Sequence, residues 1–256
     1  MDPGYRTPLL EFFERGEAAR DVRLLAAQGG LTIGAHEQLA LLVRLVSDSD
    51  PEIAGAAEAT LKIIPAASLS AFLARTDVPT EIREFFAARG VEPASAPAQE
   101  AGGPIVDTST EPEIPDEQDT QESALQRLSK LNVPQRLQRA TKGTREERAI
   151  LIRDNNRMIA VAVLSSPKLS ESEVESIAKM ANVSDEILRI ISRTRSWMKN
   201  YAIAAALVRN PKTPLAVSMN LLGRLNDKDL RMLSTNRNIP EVLRTTARKK
   251  IVIGGG

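Results

Sequence analysis

In the stretch Arg193-Thr194-Arg195-Ser196-Trp197-Met198-Lys199-Asn200-Tyr201, three cations and two aromatic rings fall within nine residues. Arginine offers planar paired donors that suit a carboxylate or a phosphate, and a ring set among cations either stacks on a base or anchors a peptide. A spacing of four also suits Trp197 and Tyr201 as packing residues on a stripe continued by Ile203 and Leu207, and both readings stand. With Glu146 and Glu186 in register, Arg153 corresponds to Arg193, Asn155 to Arg195 and Arg157 to Trp197; 42 residues further on, Arg195 meets Arg237 and Trp197 meets Ile239. Asn155, Arg195 and Arg237 then recur as a ladder, with Arg209 and Lys212 adding charge near the following turn. The chemistry implied is capture of a chain of anions, either phosphates or an acidic peptide. The same cations also serve as helix-end caps and a solvated surface, above all Arg244, Arg248, Lys249 and Lys250 near the carboxy terminus.

Reactive constellations are scarce. The chain has no Cys and one His, so thiol catalysis, disulfides and thiolate-held zinc or iron–sulfur centres are excluded and a His-based site has almost no material. No metal or cofactor is expected. His36, in Ala35-His36-Glu37-Gln38, reads as an ordinary helix-start residue. The carboxylate pairs Glu146/Glu147 and Glu173/Glu175 occupy first helical turns, where the helix dipole favours acids without any catalytic role. Gly29-Gly30 lacks the Lys-Ser/Thr ending of a phosphate loop and reads as a turn.

The elements that must position these residues are helical. Aromatics make up only 3% of the chain against 42% hydrophobic residues overall, which favours helices joined through small aliphatic contacts. Charge divides the chain: residues 1–122 hold 9 Lys/Arg against 22 Asp/Glu, and residues 123–256 hold 25 against 11. Much of the acidity lies in residues 92–122, which carry nine acids, no Lys or Arg, recurrent Pro and no apolar period, the marks of a disordered linker. Three parts follow: an amino-terminal helical domain over 1–91, an acidic Pro-rich linker over 92–122, and a basic helical repeat domain over 123–256.

The amino-terminal part reads as about six short helices. Asp48-Ser49-Asp50-Pro51 caps one of them, with Ile53, Ala57 and Leu61 at spacing four, and Asp77-Val78-Pro79-Thr80 opens another with Ile82, Phe85 and Phe86 on its apolar face. The carboxy-terminal part repeats. Ile159-Ala160-Val161-Ala162-Val163-Leu164-Ser165-Ser166-Pro167-Lys168 realigns with Ile203 to Lys212 at five of ten residues, 44 positions later. The unit reads as two helices in about 42 to 44 residues, and such units bury their apolar stripes only by stacking. Thr144 to Glu147 and Ser170 to Glu173 are capping boxes that mark its divisions.

Asn210-Pro211-Lys212-Thr213-Pro214-Leu215-Ala216-Val217 and Asn236-Arg237-Asn238-Ile239-Pro240-Glu241-Val242-Leu243 resemble the Asn-Pro-x-x-Pro-x-x-Val-Leu turn of the leucine-rich repeat variant, a bacterial helical solenoid, with Ser166 to Ser170 a weaker copy. The helix start at Asp48 to Ile53 is similar to that of HEAT repeats. The resemblance implies an all-α solenoid of stacked helix pairs, a scaffold whose surface decides its function. The iron–sulfur module of the founding variant-repeat protein does not transfer to a chain without Cys. DNA repair glycosylases share the shape of HEAT-like solenoids but need several aromatics and an acid facing the damaged nucleotide, which are thinly supplied here.

The function expected is that of a non-enzymatic adaptor binding an acidic protein through its basic repeats, with DNA or RNA as the alternative ligand and linker 92–122 as a competitor in cis. The candidate binding residues are Arg153, Arg157, Arg193, Arg195, Trp197, Lys199, Tyr201, Arg209, Lys212 and Arg237. No signal-peptide pattern or membrane-length apolar run is present, and the expected location is the cytoplasm.

Overall fold

Short apolar runs separated by caps dictate short helices, and the computed structural model shows sixteen of them among the described residues. It describes residues 7–31, 33–96, 103–108 and 121–254. The helices are α1 (Pro8–Glu14), α2 (Arg20–Ala27), α3 (Ala35–Leu45), α4 (Pro51–Ile63), α5 (Ala66–Leu73), α6 (Thr80–Ala87), α7 (Gln121–Ser129), α8 (Val133–Lys142), α9 (Arg145–Leu151), α10 (Arg157–Leu164), α11 (Glu171–Lys179), α12 (Asp185–Arg193), α13 (Tyr201–Arg209), α14 (Leu215–Leu221), α15 (Asp227–Thr235) and α16 (Glu241–Gly254). Two 3₁₀ turns, Trp197–Lys199 and Leu222–Arg224, complete the regular structure, and no strand occurs among the described residues. The chain is all-α. No single described helix is long and apolar enough to cross a membrane.

Local chemistry explains the starts. Thr144 with Glu147 and Ser170 with Glu173 form the expected capping boxes, and Asn132 with Gln135 forms a third. Asp50 accepts the Glu52 amide before Pro51, as its sequence predicts. Asp77, by contrast, does not cap α6, whose flanking residue is Pro79. The Asp77 carboxylate instead meets the Arg75 guanidinium at 2.9 Å and His36 at 3.4 Å.

The repeat contains three helices rather than a pair. Helices α8-α9-α10, α11-α12-α13 and α14-α15-α16 succeed one another at about the expected period, and each is short enough for three to fit. In the first two triplets the third helix is apolar on all sides and buried: Met158 to Leu164 in α10 and Ile203 to Val208 in α13. The outer helices are amphipathic. Helix α12 buries Ile187, Leu188 and Ile191 and turns its charges outward.

A polar clasp recurs within the triplets. Near the end of the third helix, Ser166 Oγ donates to the Thr141 carbonyl of α8 at 2.7 Å, and Asn210 Nδ2 donates to the Ala178 and Met180 carbonyls at the end of α11 at 2.7 and 2.9 Å. Helices α2, α3 and α4 also pack together, and Thr60 Oγ1 of α4 donates to the Ala27 carbonyl of α2 at 2.6 Å. Each bond satisfies a carbonyl that the last turn of a helix leaves free.

Two compact units divide the chain, residues 1–168 and 169–256. The division therefore falls 46 residues beyond the end of the expected linker. The reason is apolar surface: α10 packs against α1, and α8 against α2, so α7 to α10 belong with the amino-terminal helices. The first unit carries 19 Lys/Arg against 25 Asp/Glu and the second 15 against 8, or −6 and +7. Half of the positive excess of residues 123–256 thus lies in the first unit.

Within the expected linker, residues 97–102 and 109–120 lie outside those described. Residues 103–108 are an ordered strap on the first unit. Gly103 carbonyl accepts from the Ala35 amide at 3.2 Å, Gln38 binds the Ile105 and Val106 backbone, and Asp107 lies 3.6 Å from the Lys142 ammonium.

Candidate functional site

The loops that join the second helix of each triplet to the third carry Arg153, Arg195, Lys199 and Arg237 of the predicted cations. Their backbones are pinned by side chains that accept an amide two residues on. Asp154 accepts from Asn156 at 2.7 Å and Asn156 from Met158 at 3.0 Å; Asn200 accepts from Ala202 and Asn236 from Asn238, both at 2.9 Å. A pinned loop presents its remaining side chains outward in a defined direction.

In the second unit, exposed Arg193 ends α12, and exposed Arg195 and Lys199 occupy the loop before α13. Arg237 is exposed at the equivalent loop between α15 and α16, and exposed Lys212 lies between α13 and α14. Among the described residues none of these five forms an ion pair. Trp197 begins the 3₁₀ turn inside the same loop and is half-buried.

Two predicted members are engaged elsewhere. The Tyr201 hydroxyl donates to the Asp229 carboxylate and accepts from the Asn226 amide at 3.1 Å, while the Arg209 guanidinium binds the other Asp229 oxygen. Asp229 is 7% exposed and needs that counter-charge. Burial, followed by the hydrogen bond and negative charge of Asp229, holds the Tyr201 phenol above its ordinary pKa. Tyr201 and Arg209 thus tie α13 to α15 rather than extend the cationic row.

The first unit contains the remaining two. Arg153 is exposed and its Nε donates to the Ala149 carbonyl at 3.1 Å, closing the last turn of α9. Arg157 opens α10 with its guanidinium 5.5 Å from the Phe12 ring centroid, a cation–π contact. It borders a cavity of about 180 Å³ lined also by Phe12, Glu17, Val22, Val133 and Met158. The structure therefore places Arg195, Trp197 and Lys199 in one loop directly after Arg193 at the end of α12, assigns Arg153 and Arg157 to the other unit, and removes Tyr201 and Arg209 to a structural cluster.

Of the carboxylate pairs, Glu146, Glu147 and Glu173 lie in first helical turns as the helix-start reading predicts, whereas Glu175 lies one turn further along α11 and pairs with Lys179. Glu147 accepts the Thr144 amide at 2.9 Å and Glu173 the Ser170 amide at 3.0 Å, so both are occupied in capping boxes. No group of three or more His, Asp or Glu suited to a metal ion occurs among the described residues. His36 sits edge-to-face on Phe72, the ring centroids 4.6 Å apart.

Sequence reasoning missed Glu37. It is 4% exposed at the first turn of α3, where it accepts bonds from Thr7 Oγ1 and, at 3.4 Å, from Ser165 Oγ. Burial pushes its carboxyl up to about 7, against the opposing pull of those two hydroxyls. An acid at a helix start is commonplace, so no local signal marks this one. It missed Gln38 as well, because nothing in a helix interior announces a distant backbone partner.

Set beside known proteins, the chain matches no protein-family model, no curated protein and no solved structure.

Proposed function

We propose that the chain is a non-enzymatic α-solenoid adaptor of the leucine-rich-repeat-variant or HEAT-like kind, whose carboxy-terminal repeats hold an acidic protein segment. One observation carries the reading: Arg193, Arg195, Lys199 and Arg237 are exposed and without an ion-pair partner among the described residues, on or directly before the loops between second and third helices of successive triplets. Cations repeated at a structural period suit an extended anionic ligand, and pinned loops lower the entropy lost when it binds.

An acidic peptide is favoured over a nucleic acid by the state of the aromatics. Stacking on successive bases needs rings free to turn toward them, whereas Trp197 is half-buried and Tyr201, exposed at 40%, has its phenol fixed by Asp229 and Asn226. The eight acids of residues 169–256 also temper the field a phosphate backbone would meet.

The test is fluorescence anisotropy with the full chain, using a labelled Glu-rich peptide and single-stranded DNA and RNA of matched charge at several salt concentrations. The peptide is expected to bind, and the triple change Arg193→Glu, Arg195→Glu and Arg237→Glu to weaken it at least about tenfold. Tighter binding of nucleic acid with a steep salt slope would transfer the site to that ligand. Equal peptide affinity in the wild type and the triple variant would remove these loops from the interface.

A further inference from the structure

The strap at residues 103–108 is bound in the manner of a peptide ligand. Gln38 is 2% exposed, and its amide is spent on strap backbone: Oε1 accepts from the Ile105 amide at 2.9 Å and the Val106 amide at 3.0 Å, and Nε2 donates to the Val106 carbonyl at 2.5 Å. Three further contacts hold the ends. The Ala35 amide donates to Gly103, Thr108 Oγ1 donates to the Gln28 carbonyl at 2.5 Å, and Asp107 meets Lys142 of α8.

The receiving surface fits an extended chain. Helix α3 begins at Gly34 with no side-chain cap, so the Ala35 amide is left for the carbonyl of the strap. Gly29, at φ +73°, has no Cβ; one placed there would meet Thr108 at 3.3 Å and Thr60 at 3.2 Å, so the glycine also gives the strap room. The strap in turn is built to be extended: Pro104 disfavours helix at Gly103, and Ile105, Val106 and Thr108 are β-branched.

The strap is nevertheless not core. Residues 103–106 and 108 are only half-buried and Asp107 is exposed, whereas Leu39, Leu41, Leu42 and Leu45 of α3 are fully buried among other helices. Recognition through backbone amides, an ion pair and shallow aliphatic contact is the mode by which extended segments bind reversibly.

We propose that the α2–α3 turn, the start of α3 and the end of α8 form a binding site for extended peptides, occupied in cis by residues 103–108. Its ligand in trans is a protein segment of like chemistry, Pro followed by two aliphatic residues, Asp and a hydroxyl residue. This site is independent of the cationic loops of the second unit, since it lies in the first unit and reads mainly backbone, with one ion pair to Lys142.

The test uses the full chain with Ile105→Pro and Val106→Pro, which remove the two strap amides that Gln38 accepts, titrated with a fluorescein-labelled peptide of residues 101–110. The variant is expected to bind the peptide and the wild type to bind it about 100-fold more weakly, because a tethered copy at an effective concentration on the order of millimolar competes. Adding Gln38→Leu to the variant should abolish the binding, and a peptide of reversed sequence should not bind. A variant with unchanged melting and circular dichroism that fails to bind the peptide overturns the proposal. Should the variant unfold, amide exchange in the wild type decides. Excess peptide must then speed exchange at Ile105 and Val106, and unchanged exchange makes the strap a fixed part of the fold.

Discussion

Glu37 shows how much one side chain takes from its surroundings. An exposed carboxyl in a first helical turn is favoured by the dipole; this one is enclosed, with Thr7 and Ser165 as its hydroxyl partners. Its pKa rises from 4.5 to about 7, so between those values the folded chain binds the proton more tightly than the unfolded chain. The stability this group contributes is full below pH 4.5 and is lost as pH rises through 7, at most about 3 kcal/mol for a shift of that size. Glu37→Gln retains an acceptor for both hydroxyls and carries no charge. Its melting temperature is expected to exceed that of the wild type by several degrees at pH 8 and to show little slope between pH 4.5 and 7. Parallel melting curves for the two proteins across that range would show that Glu37 does not titrate there.

At the scale of the element, helices of seven to ten residues are marginal alone and depend on what closes their ends. Asn210 closes two at once, donating to the Ala178 carbonyl of α11 and the Met180 carbonyl just beyond it while its Oδ1 accepts the Lys212 amide at 2.9 Å. Asn210→Ala leaves two carbonyls without that donor and frees the turn, an expected loss of roughly 2 to 4 kcal/mol in urea unfolding. Ser166→Ala, which removes one carbonyl donor, to Thr141, and a long 3.4 Å acceptor for the Lys168 amide, should lose about 1 to 2 kcal/mol. A smaller effect for Asn210→Ala than for Ser166→Ala would contradict the clasp. The Asn-Pro turn was visible in the sequence as a repeat signature, and the clasp supplies its physical purpose.

At the scale of the whole molecule, the division into residues 1–168 and 169–256 sets what a stable piece must contain. A chain ended at Val91 lacks α8 and α10, which pack on α2 and α1 and bring Val133, Arg157 and Met158 beside Phe12 and Val22. Residues 1–168 are expected to unfold in one cooperative transition, whereas residues 1–91 should show a broad transition with little amide protection, compared by urea titration and hydrogen exchange. A sharp, equally stable transition for residues 1–91 would restore the linker as the boundary.

The all-α class, the first-turn acids, the capping boxes and the 44-residue recurrence were legible in the sequence by itself, because they arise from interactions within a few residues of chain or from direct repetition. The cationic loop from Arg193 to Lys199 was legible for the same reason. The number of helices per repeat was not, since a run of seven to nine residues is too short for its periodicity to separate it from its neighbours. Only tertiary structure decided that α7 to α10 join the amino-terminal helices, that Tyr201 and Arg209 answer Asp229, that Glu37 is enclosed, and that Gln38 grips residues 105 and 106. Each of these depends on partners about 20 or more positions away, chosen by which apolar faces meet, and local sequence carries no record of that choice.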